Sequence, residues 1–144
     1  MAFDDPIDAE RTTGPSPSPT MHLPLDDRSV KAVRDEVATT LREAGWSDEA
    51  VERARLVASE LATNAIVHAG SGFDLEVKLR ADDHQVWIGV TDDAAEELPA
   101  YAERDALRPG GMGLYLVDAM AISWGMHPAS RGKVVWACLA DEWD

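Results

Sequence analysis

Residues 60–69 constrain the fold most, because they place three polar side chains along one side of a strongly apolar helix. Glu60, Asn64 and His68 follow one another at intervals of four residues. On a helix this spacing stacks neighbouring Cβ atoms about 5–6 Å apart. The other sides of the helix are mainly apolar, which is typical of a helix buried inside a domain. A carboxylate, an amide and an imidazole in such a helix need partners, since burying them unpaired is costly.

Two interpretations of this polar face are open at this point. In the first, the three side chains bond to nearby backbone and have only a structural role. In the second, they line a pocket in which Glu60 accepts a proton and the Asn64 side-chain oxygen binds a hard cation. The rest of the chain decides between these two interpretations.

The overall composition limits the classes of function. The chain has 144 residues, which suits one domain with one core, and its formal net charge is −14. We therefore expect no direct binding of nucleic acid or membranes, because non-specific binding to either requires an excess of Lys and Arg. The single cysteine, Cys138, excludes an internal disulfide and a cysteine-based zinc site, and we expect it to be an inert core residue.

The two ends of the chain differ in composition. Residues 1–20 hold four of the eight prolines together with several acids, so we expect a disordered N-terminal tail. Residues 21–144 are expected to form the folded domain. No apolar stretch approaches the roughly 20 residues of a membrane span, and the N-terminus lacks the basic and apolar regions of a secretory signal. We expect a cytoplasmic protein.

The order of the elements after the tail predicts an α+β fold. A short edge strand near Met21 leads into a helix that Asp26 or Asp27 caps. Gly45 is expected to end this helix in the left-handed conformation, and Ser47 to cap the next helix. Two strands of alternating pattern, a long loop, a further helix and a hairpin follow. We predict a two-layer sandwich, with helices on one face of a mixed, mostly antiparallel sheet.

Two further sequence features point to the same place as the polar helix face. Asp92 stands where the second of the alternating strands leaves the sheet. Gly111 and Gly113 precede a helix, and the free N–H groups at a helix N-terminus favour an anion such as phosphate. Taken alone, an Asp at a strand end usually caps a turn, and a glycine cluster more often serves a turn than a phosphate.

The combination of these features is more specific than any one of them, and it resembles the GHKL (Bergerat-fold) ATPases. Within that superfamily the chain is most similar to the stand-alone anti-sigma-factor serine/threonine kinases. The resemblance covers roughly residues 21–140. The matching positions are residues 60–69 for the N box, Asp92 for the G1 box, Gly111, Met112, Gly113 and Leu114 for the G2 box, and residues 132–136 for the closing strand.

This resemblance implies a Bergerat ATP-binding domain that uses ATP and Mg²⁺, and it assigns a role to each matching residue. Asp92 would accept a hydrogen bond from the 6-amino group of adenine, and Asn64 would be a ligand of Mg²⁺. Glu60 would be the catalytic residue that deprotonates a serine or threonine hydroxyl of a partner protein. The nucleotide-binding residues of the glycine-rich segment would be Gly111, Met112, Gly113 and Leu114.

The same resemblance implies the protein partners. Members of this group hold a sigma factor, phosphorylate an anti-sigma-factor antagonist of the STAS-domain type, and are expected to be homodimers. The alternative is a catalytically weak or inactive module of the same fold that regulates a sigma factor without phosphoryl transfer. A sensor histidine kinase is not expected, since the chain has no room for a dimerisation helix with a phosphoacceptor histidine. A metallohydrolase is not expected either, since no second histidine stands at ligand spacing from His68.

The sequence departs from the family pattern at several positions. Ala94 stands where the G1 box usually has a glycine, and Val134 stands where the closing strand often has a threonine close to the adenine. Lys133 is expected to be a turn residue. Acids dominate residues 92–105, where Arg104 is the one basic residue. We expect His68 to make a structural hydrogen bond.

Overall fold

A computed structural model describes residues 20–68, 74–92, 114–129 and 132–142. Its elements are β1 (Met21–Leu23), α1 (Asp27–Glu43), α2 (Asp48–His68), β2 (Leu75–Ala81), β3 (Gln85–Asp92), α3 (Leu114–Met120), β4 (Ser123–Pro128) and β5 (Lys133–Ala140). The expected tail, apart from Thr20, and the loop that carries the acidic residues lie outside these ranges. Among the helices so described, none has the length and apolar character needed to cross a bilayer.

The five strands form one sheet in the order β1-β2-β3-β5-β4, and every pairing in it is antiparallel. The alternating residues of β2, β3 and β5 that face the helices are buried, as at Val77, Ile88 and Ala137. They share one core with the apolar sides of α1, α2 and α3. The predicted α+β sandwich with helices on one face of the sheet is therefore confirmed.

The ends of the first two helices follow from local side-chain chemistry. The Asp26 carboxylate accepts a hydrogen bond of 2.8 Å from the backbone N–H of Arg28 and so caps α1. Gly45 follows α1 with φ of 88°, a conformation that favours glycine. The Ser47 hydroxyl accepts a hydrogen bond of 3.2 Å from the N–H of Ala50 at the start of α2. All three predicted boundaries are confirmed.

The direction of α2 over the sheet decides which residues can meet. Arg53, near the start of α2, donates to the carbonyl oxygens of Ala140 and the following residue at 3.2 and 3.1 Å. The start of α2 therefore lies at the end of β5. Because a helix rises about 1.5 Å per residue, Asn64 lies roughly 16 Å further along. The second half of α2 lies towards the opposite end of the sheet, where β3 ends at Asp92 and β5 begins at Lys133.

The outer face of the sheet, on the side away from the helices, carries a pair of tryptophans. The rings of Trp87 and Trp136 stack with their centroids 6.4 Å apart and an angle of 14° between their planes. Each residue is 5 % exposed, and Val134 and Cys138 pack against the pair. Burial, with a smaller contribution from the charge of Asp82, raises the pKa of the Cys138 thiol to about 11. A thiol with a raised pKa is mostly protonated near neutral pH, which fits the expected inert residue, although Cys138 belongs to this outer cluster and not to the main core.

Candidate active site

The polar face of α2 is turned towards the inside of the molecule. Asn64 is 1 % exposed, whereas Val67 is 61 % exposed and Thr63 is also exposed on another side of the helix. Glu60, one turn before Asn64, is half-buried. His68 is the last residue of α2, and its side chain lies outside the described part of the structure. An interior amide and a half-buried carboxylate one turn apart therefore share one face of α2.

The environment of Glu60 alters its acid–base chemistry. Burial raises the pKa of this carboxyl above its ordinary value, because removing water from around the group disfavours its charged form. A carboxylate with a raised pKa is a stronger base than one on the surface. The shift therefore favours a role in proton transfer near neutral pH.

Of the remaining predicted site residues, the structure describes Leu114 and the backbone of Asp92. Asp92 is the last residue of β3, and only its backbone position is described. Leu114 is the first residue of α3 and is fully buried in the core, where α3 packs against α2. Gly111, Met112 and Gly113 lie outside the described residues. The second half of α2 and the end of β3 thus lie towards one end of the sheet, and α3 packs against α2.

Two sequence expectations for β5 are wrong. Lys133 is not a turn residue: it is the first residue of β5, it is 0 % exposed, and it pairs directly with Asp92 on β3. Val134 pairs with Thr91 and packs against the tryptophan pair on the outer face, so it does not stand beside a base bound on the helix side. Side chains of a strand alternate between faces, so Lys133 takes the inward position that the sequence comparison assigns to Val134.

The position of Lys133 follows from the alternation along β5 only once the buried face of that strand is known. Leu139, Ala137 and Val135 are buried on the helix side of the sheet. Position 133 is two residues before Val135, so it belongs to the same alternating set. The signal was hidden because Lys133 follows Gly132 at the end of a turn, where a charged residue is ordinarily on the surface.

A comparison with protein families decides what kind of domain this is. The profile of the histidine kinase-like ATPase domain matches residues 23–139. The chain belongs to this family. The match runs from β1 to the end of β5 and so includes every element that contributes to the candidate site. The sequence resemblance to the GHKL ATPases is confirmed.

Curated proteins with similar sequences include serine-protein kinases. The serine-protein kinase RsbW of Listeria monocytogenes serotype 4a (strain HCC23) is 26 % identical over 115 residues, a match that covers 70 % of this chain and 73 % of the relative. The serine-protein kinase RsbW of Listeria innocua serovar 6a is 25 % identical with the same coverage. The narrower resemblance to stand-alone serine kinases is thus also supported.

The donor types at the site fit a magnesium nucleotide. Mg²⁺ keeps several water ligands and takes few ligands from protein beside the phosphate oxygens, so a single amide oxygen such as that of Asn64 is a suitable contribution. A carboxylate at position 92 can accept a hydrogen bond from an amino group of a base. Glu60 provides a base one helical turn from Asn64.

Proposed function

We propose that this protein is a cytoplasmic, ATP-binding anti-sigma regulatory factor with serine/threonine protein kinase activity. It binds Mg-ATP, holds a sigma factor as a homodimer, and phosphorylates an anti-sigma-factor antagonist of the STAS-domain type. What supports this proposal is that the Glu60–Asn64 face of α2 runs towards the end of β3 at Asp92, in a chain of an ATPase family whose relatives are named serine-protein kinases.

Each residue takes the role that the resemblance to the GHKL ATPases implies. Asp92 accepts a hydrogen bond from the adenine 6-amino group, and Asn64 offers its side-chain oxygen to Mg²⁺. The metal, when bound, neutralises charge on the phosphates. Glu60 orients the hydroxyl of the partner protein and accepts its proton, while the oxygen attacks the γ-phosphorus and ADP leaves. The glycine-rich segment before α3 holds the phosphates, with Gly111, Met112, Gly113 and Leu114 as its residues.

The decisive experiment separates proton transfer from nucleotide binding. Glu60→Gln keeps the size and hydrogen-bonding capacity of the side chain but removes its ability to accept a proton. We expect this variant to lose phosphoryl transfer from Mg-[γ-³²P]ATP to a purified STAS-domain antagonist by about a hundredfold or more. Its affinity for Mg-ATP, measured by calorimetry, should be unchanged.

Glu43→Gln is the matched control, because Glu43 is an exposed glutamate at the end of α1, away from the candidate site. This variant should phosphorylate the antagonist at the wild-type rate. If Glu60→Gln also does so, Glu60 is not the catalytic base. If both variants and the wild type bind Mg-ATP but transfer no phosphate, the kinase assignment itself is wrong.

The alternative function is a protein-binding module of the same fold that regulates a sigma factor without phosphoryl transfer. The acidic segment of residues 92–105 favours it, because six acids with one arginine oppose a triphosphate. Binding of a ligand to the folded state alone must stabilise that state by mass action. A melting temperature that does not rise in millimolar Mg-ATP would therefore favour the binding module over the kinase.

A further inference from the structure

Lys133 is the one lysine among the fully buried side chains of the described residues, with 0 % exposure. Lysine is almost never buried to this extent unless its charge is paired, because removing an ammonium group from water is costly. The residue stands at the start of β5, on the side of the sheet that faces the helices, in the same alternating set as Val135. A buried cation at this position requires a specific explanation.

The pairing of the strands places one acidic position beside Lys133. In the row of residues across the sheet, Lys133 lies between Pro128 on β4 and Asp92 on β3. Directly opposite residues of antiparallel strands have Cβ atoms about 4.5–5.5 Å apart, within reach of an ion pair. Proline has no charge to offer, so Asp92 is the acid that this row provides.

We propose that the ammonium of Lys133 pairs with the carboxylate of Asp92 in the free protein, and that in the nucleotide complex it donates a hydrogen bond to N1 of adenine. The second half of this proposal rests on the proposed function, in which Asp92 contacts the 6-amino group. Lys133 is then a specificity-determining residue. It contacts the base directly, with a charged donor that forms a stronger hydrogen bond than a neutral one.

The chemistry of the purine edge matches this pair of residues. Adenine has an amino donor at position 6 and, next to it, an acceptor at N1. A carboxylate and an ammonium side by side complement these two groups in that order. Guanine has the opposite pattern, a carbonyl acceptor at position 6 and an N–H donor at N1. If guanine were bound in the same way, its carbonyl acceptor at position 6 would face the Asp92 carboxylate, which is also an acceptor. Its N1–H donor would face the Lys133 ammonium, which is also a donor. The pair therefore selects adenine.

The first half of the test concerns the protein without nucleotide. Asp92→Asn leaves the buried charge of Lys133 without its proposed partner, and Lys133→Met leaves the Asp92 carboxylate without its own. Each should reduce the folding equilibrium constant by about two orders of magnitude or more, whereas the double variant should lose much less than the two single losses combined. Urea denaturation of the four proteins measures this coupling. Lys78→Met is the control, because Lys78 is an exposed lysine on the outer face of β2, and it should not couple to Asp92→Asn.

The outcomes of this denaturation series are clear even where a variant does not fold. A folded double variant beside an unfolded Lys133→Met variant supports the pair. Strictly additive losses, or a double variant that is also unfolded, overturn it. None of these outcomes depends on whether the protein binds ATP, so this half of the test is independent of the proposed function.

The second half compares ATP with 1-deaza-ATP, in which a C–H group replaces N1. The wild-type protein should bind Mg-ATP about tenfold more tightly than Mg-1-deaza-ATP, because the analogue cannot accept the hydrogen bond from Lys133. Lys133→Met should bind the two nucleotides equally, and Lys78→Met should keep the wild-type preference. Calorimetric titration measures all three.

Failure of this proposal can be distinguished from failure of the proposed function. If the wild type binds ATP and 1-deaza-ATP equally, or binds GTP more tightly than ATP, Lys133 does not read N1 of adenine, although nucleotide binding stands. If neither the wild type nor any variant binds a nucleotide, the proposed function fails together with the base contact. The coupling between Lys133 and Asp92 in the denaturation series then still decides the ion pair.

Discussion

Glu60 links the candidate chemistry to the stability of the fold. Its pKa is raised in the folded state because burial disfavours the charged carboxylate. Above the folded-state pKa the group is charged in both states, and the folded state carries the cost of its burial. As the pH falls towards the unfolded-state pKa, the folded state takes up the proton first, and this cost disappears.

We therefore predict a pH-dependent difference between Glu60→Gln and the wild type. Glutamine is uncharged at every pH and avoids the cost of burying a carboxylate. The free energy of unfolding of the variant, relative to the wild type, should thus be larger at pH 8 than at pH 5. Urea denaturation at a series of pH values between these limits measures the difference. The exposed Glu43→Gln variant should show the same difference from the wild type throughout the series.

An opposite trend for Glu60→Gln, with the variant gaining on the wild type as the pH falls, would mean that the folded state stabilises the charged carboxylate. Glu60 would then be paired with a cation. A carboxylate held in this way would be a weaker base, so the result would also count against the catalytic role of Glu60.

At the scale of elements, the outer face of the sheet depends on two glycines that leave room for the tryptophan pair. A Cβ added at Gly89 would overlap the Cη2 and Cζ3 atoms of the Trp87 ring, whereas one added at Gly125 would lie 3.1 Å from Cζ2 of Trp136. Since Trp87 stacks on Trp136, a displacement of its ring also disturbs the pair. Replacement by alanine should therefore cause a severe steric clash at Gly89 and a mild one at Gly125.

We predict that Gly89→Ala destabilises the protein by about 1–3 kcal/mol, the usual cost of overpacking, and alters the near-ultraviolet circular dichroism of the tryptophan pair. Gly125→Ala should have a smaller effect on both, because a shift of a few tenths of an ångström relieves its contact. Urea denaturation and the dichroism spectrum measure these effects. If the two substitutions have equal effects, the Trp87 ring can move away from position 89 without a loss of stability.

Much of this architecture could be predicted from the sequence, because local rules determine it. Asp26, Gly45 and Ser47 define helix boundaries through capping chemistry and a left-handed backbone, and both depend only on neighbouring residues. The alternating pattern of β2 likewise defined its buried face before any contact was known. These predictions succeeded because nothing distant in the chain competes with them.

The errors occurred where distant residues decide. Nearly every residue of β5 is apolar, so the pattern does not say which face is which, and a register shift of one residue exchanges Lys133 with Val134. The stacking of Trp87 on Trp136 depends in the same way on the pairing of β3 with β5. Neither feature has a local signal. The buried lysine in the candidate site therefore became visible only with the fold.

At the scale of the whole molecule, the two ends of the sandwich have different roles. At one end, hydrogen bonds hold the helices to the sheet: the Trp46 indole donates to the carbonyl oxygen of Asp82 at 2.8 Å, and Arg53 donates to the end of β5. At the other end lie the second half of α2, the end of β3 and the start of β5. The candidate active site thus lies at the end opposite these anchoring bonds.

The last prediction concerns how much of the chain the fold requires. Among the described residues, the core draws mainly on the three helices and the sheet, and Met21 and Leu23 of β1 are its first members. The residues before Thr20 are rich in proline and acids, so we predict that they add nothing to the stability of the domain. A protein that lacks residues 1–19 should therefore keep the urea midpoint and the tryptophan emission of the full chain.

A second, longer truncation shows what the loss of a structural element would do to the stability of the domain. Removal of residues 1–24 also deletes β1, with its antiparallel pairing from Met21 to Val77, so β2 becomes an edge strand and loses apolar contacts. This protein should unfold at a clearly lower urea concentration than the full chain. If removal of residues 1–19 alone causes a similar loss, or shifts the tryptophan emission to longer wavelength, the N-terminal segment packs on the domain. The boundary at residue 21 would then be wrong.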